Sequence, residues 1–184
     1  MAGAEVTKLV LPSSIRFGNA VQGGKKKITG EDVSAALGYG KLSEPASAYV
    51  RLKYCLDGTY RGRLESWVTK EKVYNYAEQE NWICGVSLLP KLTQVALDEA
   101  LSDGVCKGRR GCGGTGVQVA NGKLIPCRKC DGTGRKKHSK SHRARELGMH
   151  RHTFNRTWQQ RYERIFGLFV EYEHELVQAL RKKL

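Results

Sequence analysis

From Cys106 to Gly134 the chain reads CKGRRGCGGTGVQVANGKLIPCRKCDGTG, which holds four of its six cysteines and states the phrase Cys-x-Gly-Thr-Gly twice. No other stretch restricts folding as strongly. It has too few large apolar residues to build a core, so its order has to come from a bound ligand. Between the two phrases, VQVANGKLIP carries Asn121-Gly122, the residue pair that supplies both positive-φ positions of a type I′ turn, with Val119 facing Leu124 across it. If residues 120 and 123 pair, then 116 pairs with 127, and Cys112 is carried towards Cys127 and Cys130. The repeated phrase therefore reads as two similar turns around one metal, with Cys106 and Cys112 from one arm and Cys127 and Cys130 from the other.

The chemistry of those thiols depends on compartment. The chain has no apolar leader suited to secretion and no run approaching the roughly 20 apolar residues that cross a bilayer. A cytosolic protein without membrane association is expected. Thiols there stay reduced, so clustered cysteines read as metal ligands, here for one Zn2+ per chain, rather than as disulfides. A thioredoxin-like redox role fits poorly, because its Cys-x-x-Cys follows a strand and opens a helix, whereas Asp131-Gly-Thr-Gly follows here. The arms differ in spacing, Cys106-x5-Cys112 against Cys127-x2-Cys130. Cys106 is the preferred fourth ligand, and His138 or His142 is the alternative.

Charge is concentrated in the same part of the chain. The formal net charge is +14, and between Cys106 and Arg151 there are 13 basic residues against 2 acidic ones, while Met1 to Val105 is nearly neutral with 13 against 12. A block so one-sided repels itself unless a polyanion is near, which points to nucleic acid. The only acids in that block are Asp131 and Glu146. Asp98 and Glu99 fall in a helical stretch expected to be solvated. The acidic ligands that phosphodiester chemistry requires are thus not gathered anywhere, and the chain is expected not to be an enzyme.

The flanks read as helices. Residues 1–28, including GNAVQGGKKK, are expected to form a flexible basic arm. Thr29 caps a short helix stopped by Gly38 and Gly40, and Ser43 caps a second with Pro45 in its first turn. A third fits TKEKVYNYAEQENW. A fourth fits LLPKLTQVALDEALSDG, where Leu88, Leu92, Val95, Ala96 and Leu101 share a face and Asp103-Gly104 ends it. Cys55 and Cys84 are expected to be small buried apolar residues. Trp67, Tyr74 and Trp82 suit either the core or a protein interface.

Beyond the cysteines, KSHRARELGMHRHTFNRTWQQ fits a helix-turn-helix: Ala144 at the close approach, Gly148 at the turn, Leu147, Met149 and Phe154 inside. His150, Arg151, His152, Asn155, Arg156 and Gln159 then point towards a major groove. Lys136 and Lys137 are expected on phosphates, and Lys140 and Arg143 complete the expected DNA contacts. In YERIFGLFVEYEHELVQALRKKL, Ile165, Phe169, Tyr172, Leu176 and Leu180 make an amphipathic helix with a basic last turn. The expected fold is mainly α with a small zinc-bound β-hairpin module: a helical N-terminal domain over 29–105, a zinc module over 106–137, and a helix-turn-helix with a long C-terminal helix over 138–184.

This order of parts, with TGEDVSAALG, the paired Cys-x-Gly-Thr-Gly phrases and TFNRTW, resembles the lambda-type antitermination Q proteins of lambdoid bacteriophages. The likeness runs from about Thr29 onward and is strongest over the zinc module. The same phrase occurs in the zinc region of DnaJ-type chaperones, but this chain has two arms instead of four and no His-Pro-Asp tripeptide. The family's zinc arms are Cys-x-x-Cys, from which this sequence departs at Cys106. The resemblance implies a regulator in the cytoplasm of a bacterial host. Such a protein binds double-stranded DNA at a phage late promoter, engages paused host RNA polymerase with its sigma factor, and suppresses pausing and termination. A DNA-binding repressor or activator without antitermination activity is the other reading of the same parts.

Overall fold

The computed structural model describes residues 30–39, 42–102, 104–108, 111–120, 122–130 and 134–181. The expected basic arm 1–28, the Thr29 cap, and Asp103, Asn121 and Asp131 lie outside the described residues. The chain divides into two units, the segment 103–137 and a helical unit that joins 30–102 to 138–184.

In the helical unit α1 is Gly30–Tyr39, which passes through Gly38 before ending. Helix α2, Glu44–Tyr54, starts as expected: the Ser43 hydroxyl accepts from the Ala46 amide at 3.4 Å and Pro45 sits in the first turn, where its missing N–H costs nothing. The Ser43 amide and hydroxyl also donate to the Glu175 carboxylate, each at 3.0 Å. Helix α3, Tyr60–Val68, runs through a π-helical turn, Thr69–Val73, into α4, Tyr74–Gln79. The expected third helix therefore begins earlier than its pattern suggested. Gly62 lowers local propensity there, and burial of Leu64 and Val68 one turn apart outweighs it.

Helix α5, Leu88–Leu101, buries Leu89, Leu92, Val95, Ala96, Leu97 and Ala100, a wider face than the expected stripe, because it is packed on more than one side. After the cysteine segment come α6, Lys140–Glu146, then α7, Arg151–Thr153, a second π turn, Phe154–Trp158, and α8, Gln159–Arg181. From Arg151 onward the helix is continuous, so the second helix of the expected helix-turn-helix and the C-terminal helix are one rod. Ile165, Phe169, Tyr172 and Leu176 are buried as expected, and the rod packs on α2 and α5.

The expected division between 29–105 and 138–184 does not survive as two cores. Tyr49, Leu92 and Leu97 share one cluster with Leu147, Phe154, Tyr162 and Phe169. The rod of the second half covers α2 and α5 of the first. Cys55 is corrected from buried to exposed, since it caps the C-terminus of α2 where the chain turns outward. Cys84 is half-buried against the core.

In the segment 103–137, β1 (Val117–Ala120) pairs antiparallel with β2 (Lys123–Pro126) in the expected register, Val119 opposite Leu124 and Ala120 opposite Lys123. Gly122 has a φ of 71°, as the turn requires. The ends of the segment also meet: Val105 bridges Arg135, and the Lys136 amide donates to the Gly104 carbonyl at 2.7 Å.

Candidate functional site

The register of the hairpin extends one step past its strands, where the Cys127 amide donates to the Gly116 carbonyl at 2.8 Å. At the other end the Cys106 amide donates to the Gly134 carbonyl at 2.9 Å. Each Gly-Thr-Gly phrase thus closes on the leading cysteine of the opposite arm. Within each phrase the last glycine amide donates back to sulfur, Gly116 to Cys112 Sγ and Gly134 to Cys130 Sγ, both at 3.1 Å. Both glycines have positive φ, 76° and 73°, which L side chains rarely adopt. The repeated phrase is therefore a repeated backbone device: a left-handed glycine that turns its N–H onto a thiol and its carbonyl onto the other arm.

The four sulfurs lie within 4.8 Å of one another, with Cys106 to Cys127 at 4.0 Å and Cys112 to Cys130 at 3.7 Å. A tetrahedral thiolate site with metal–sulfur bonds of about 2.3 Å has sulfur–sulfur edges of about 3.8 Å, so the four can hold a metal ion such as zinc. The group contains no histidine among the described residues. Cys106 is drawn in despite its longer spacing: the Gly111 amide donates to the Gly108 carbonyl at 2.8 Å, and the Gly113 amide donates to the Cys106 carbonyl at 2.9 Å, which brings Cys112 back beside Cys106. His138 and His142 lie in the helical unit, rings 4.3 Å apart, with the His138 amide on Glu99.

Crowding sets the acidity of the thiols. Burial raises Cys112, but the Gly116 and Gly114 amides and the Cys130 and Cys127 thiols lower it by more, to about 7. Burial pushes Cys130 up to about 12 and also raises Cys106. Sulfurs this close do not all ionise together unless a cation sits among them.

The segment expected to form a helix-turn-helix places its interior residues as that reading requires. Ala144, Leu147 and Phe154 are buried, Met149 packs on the core, and Gly148 makes the turn at a φ of 72°. Ser139 caps α6 by accepting from the His142 amide at 3.2 Å, and His150 caps α7 through Nδ1, which accepts from the His152 amide at 3.2 Å. His150, Arg151, His152, Asn155 and Arg156 are exposed, and Gln159 is half-buried and donates to Glu163 at 3.0 Å. Lys140 is exposed on the same unit; Lys136 is exposed and Lys137 half-buried on the cysteine unit.

Arg143 is a correction. It is 5% exposed, and its guanidinium grips Glu99 with Nε to Oε2 at 2.7 Å and Nη2 to Oε1 at 2.6 Å. A DNA phosphate cannot reach it. Glu99, expected in solvent, is buried beneath it and also accepts from the Tyr162 hydroxyl at 2.9 Å and the His138 amide at 3.1 Å. Burial pushes the Glu99 carboxyl up, and the Arg143 guanidinium pulls it down further, so it stays ionised. The signal was present in sequence: Glu99 follows Val95 and Ala96 at helical spacing on the apolar face of α5. Sequence reasoning also missed the cationic face formed by Arg161 and Arg164, which the next turns of the rod carry beyond Arg156.

No protein-family model matches the chain, and no curated protein matches it in sequence. No helix among the described residues is long and apolar enough to cross a membrane.

Proposed function

We propose that this chain is a zinc-containing, DNA-binding regulator that works as a transcription antitermination factor of the lambdoid type. It binds double-stranded DNA at a phage late promoter and engages paused host RNA polymerase with its sigma factor. It then suppresses pausing and termination, acting in the bacterial cytoplasm as a regulator without catalytic activity of its own. The observation that carries the DNA-reading part is the row Arg151, His152, Asn155 and Arg156, exposed on the first turns after the Gly148 turn while Leu147, Phe154 and Trp158 anchor the opposite side. These residue types hydrogen-bond base edges and phosphates, and the buried side holds the helix rigidly for that task. Cys106, Cys112, Cys127 and Cys130 hold one Zn2+, which orders the basic segment bearing Lys136 and Lys137. Antitermination rests on the order of parts and the resemblance of the motifs.

The test is transcription in vitro with purified protein, bacterial RNA polymerase and sigma factor, on templates that place a terminator downstream of a lambdoid late promoter or of an unrelated one. Read-through confined to the late-promoter template is expected. Blocked initiation with no protein on the elongating complex establishes the repressor reading instead. On late-promoter DNA, Arg151→Ala or Asn155→Ala should cost about 1–3 kcal/mol with little loss on random duplex. Lys136→Ala and Lys137→Ala should weaken binding to all duplexes alike and flatten its salt dependence by about one unit for each phosphate that is no longer neutralised.

A further inference from the structure

From the end of the recognition row onward, the same helical rod lines an open groove of about 380 Å³ with Arg156, Thr157, Gln160, Arg161 and Arg164, faced by Glu80. We propose that this groove seats backbone phosphates of duplex DNA flanking the bases read by the helix-turn-helix, an inference that rests on the DNA-binding reading above.

The groove is cationic and largely made of donors. Three guanidiniums, a hydroxyl and an amide face one carboxylate, and that carboxylate is already occupied: Glu80 pairs with Arg164 and accepts from Trp82 Nε1 at 2.8 Å. Arg156 and Arg161 have no carboxylate partner among the described residues. Two of the cations are held in place by rings. The Arg161 guanidinium lies 5.0 Å from the Trp82 ring centre and 4.6 Å from that of Trp158, and Arg164 lies 3.7 Å from the centre of Tyr76. Stacking of this kind fixes a guanidinium and leaves its edge to donate, the arrangement that suits phosphate oxygens; among the described residues Arg161 has no carboxylate on that edge, whereas Arg164 already spends one N–H on Glu80.

Position decides between a nucleic-acid backbone and an acidic protein segment. At about 1.5 Å per residue, Gln160 lies about 14 Å and Arg164 about 20 Å along the rod from Arg151. The major groove is about 12 Å wide and 8.5 Å deep. A helix whose first turns sit among the bases therefore carries Gln160 and Arg164 out to the rim, where the phosphates run. Arg156 stands at the junction of the two surfaces.

The experiment is binding of the full chain, zinc-loaded, to random-sequence duplex DNA by fluorescence anisotropy from 50 to 200 mM salt, about the range over which phosphate contacts declare themselves. Arg164→Gln is expected to weaken binding roughly threefold to tenfold and to lower the salt slope by about one. Gln160→Glu, an exposed change that leaves the core untouched, is expected to weaken it at least as much by adding a second carboxylate. Glu80→Gln is expected to tighten it. Unchanged affinity and slope in both Arg164→Gln and Gln160→Glu, with wild-type melting, overturns the inference while leaving the DNA-binding reading intact. So does a polyglutamate peptide that binds the wild type and not Gln160→Glu while duplex binding is unaffected. Wild-type protein that binds no duplex overturns both.

Discussion

In the segment 103–137 the buried cluster consists of Cys106, Cys127 and Cys130 with Cys112 against it, while Val119 and Leu124 stand 72% and 65% exposed on the hairpin. In the helical unit, by contrast, aromatic and aliphatic side chains from both ends of the chain fill one continuous core, and even its buried charges are paired, Glu99 with Arg143 and Glu173 with Lys53. Burying apolar area stabilises by about 25 cal/mol per Å². The helical unit gains from that throughout, whereas the described residues of the cysteine unit bury almost no such area, and on the reading proposed above it is the metal held by the four sulfurs that orders them. With one ion bound as proposed, a small basic segment is ordered without a hydrophobic core by repeating one backbone turn around it.

Removing the metal puts this contrast under the greatest strain. With zinc bound as proposed, a chelator strong enough to strip it should remove on the order of 10 kcal/mol from the cysteine unit. Amide exchange of Gly116 and Gly134 should become fast, while the far-UV helical signal persists. Simultaneous melting of both units would show that the helical core is not self-sufficient.

The second test exploits the buried pair. Arg143→Ala leaves Glu99 buried without its cation and should destabilise the helical unit by about 3–5 kcal/mol, with the metal content unchanged. Because the folded pKa of Glu99 is lowered from 4.5, its ionised form stabilises the fold above about that pH, and the contribution is lost as pH falls through the lowered value. Thermal melting between about pH 6 and 3 should therefore show a falling midpoint in the wild type, and in Arg143→Ala a smaller fall from a lower start. Equal slopes would mean that other carboxylates govern acid unfolding.

The smallest effect is local. Gly148→Ala places a side chain at a φ of 72° and should cost about 1 kcal/mol in the melting of the helical unit, since the added Cβ meets only the flexible end of Lys91 at 3.4 Å. A loss several times larger would show that the turn, and not the core, holds α6 against the rod.

Local features were legible in the sequence. Hairpin register, the identity of the turn glycines, the Ser43 cap and the place of Gly148 all follow from residues within a few positions of one another, where the backbone leaves few options. Three of the four sulfurs could be read, because the hairpin carries Cys112 to Cys127 and Cys130, whereas the place of Cys106 beside them also rests on the Val105–Arg135 bridge and the turn from Cys106 back to Gly113. Tertiary structure decided what depends on distant partners. Glu99 and Arg143 are 44 residues apart, and neither spacing nor charge says that they meet. Nor does the pattern of 29–105 say that its uncovered stripe is completed by Phe154, Tyr162 and Phe169. An amphipathic helix specifies that one face must be buried, but not by what, and a charge on that face becomes an anchor or a solvated residue according to which helix arrives.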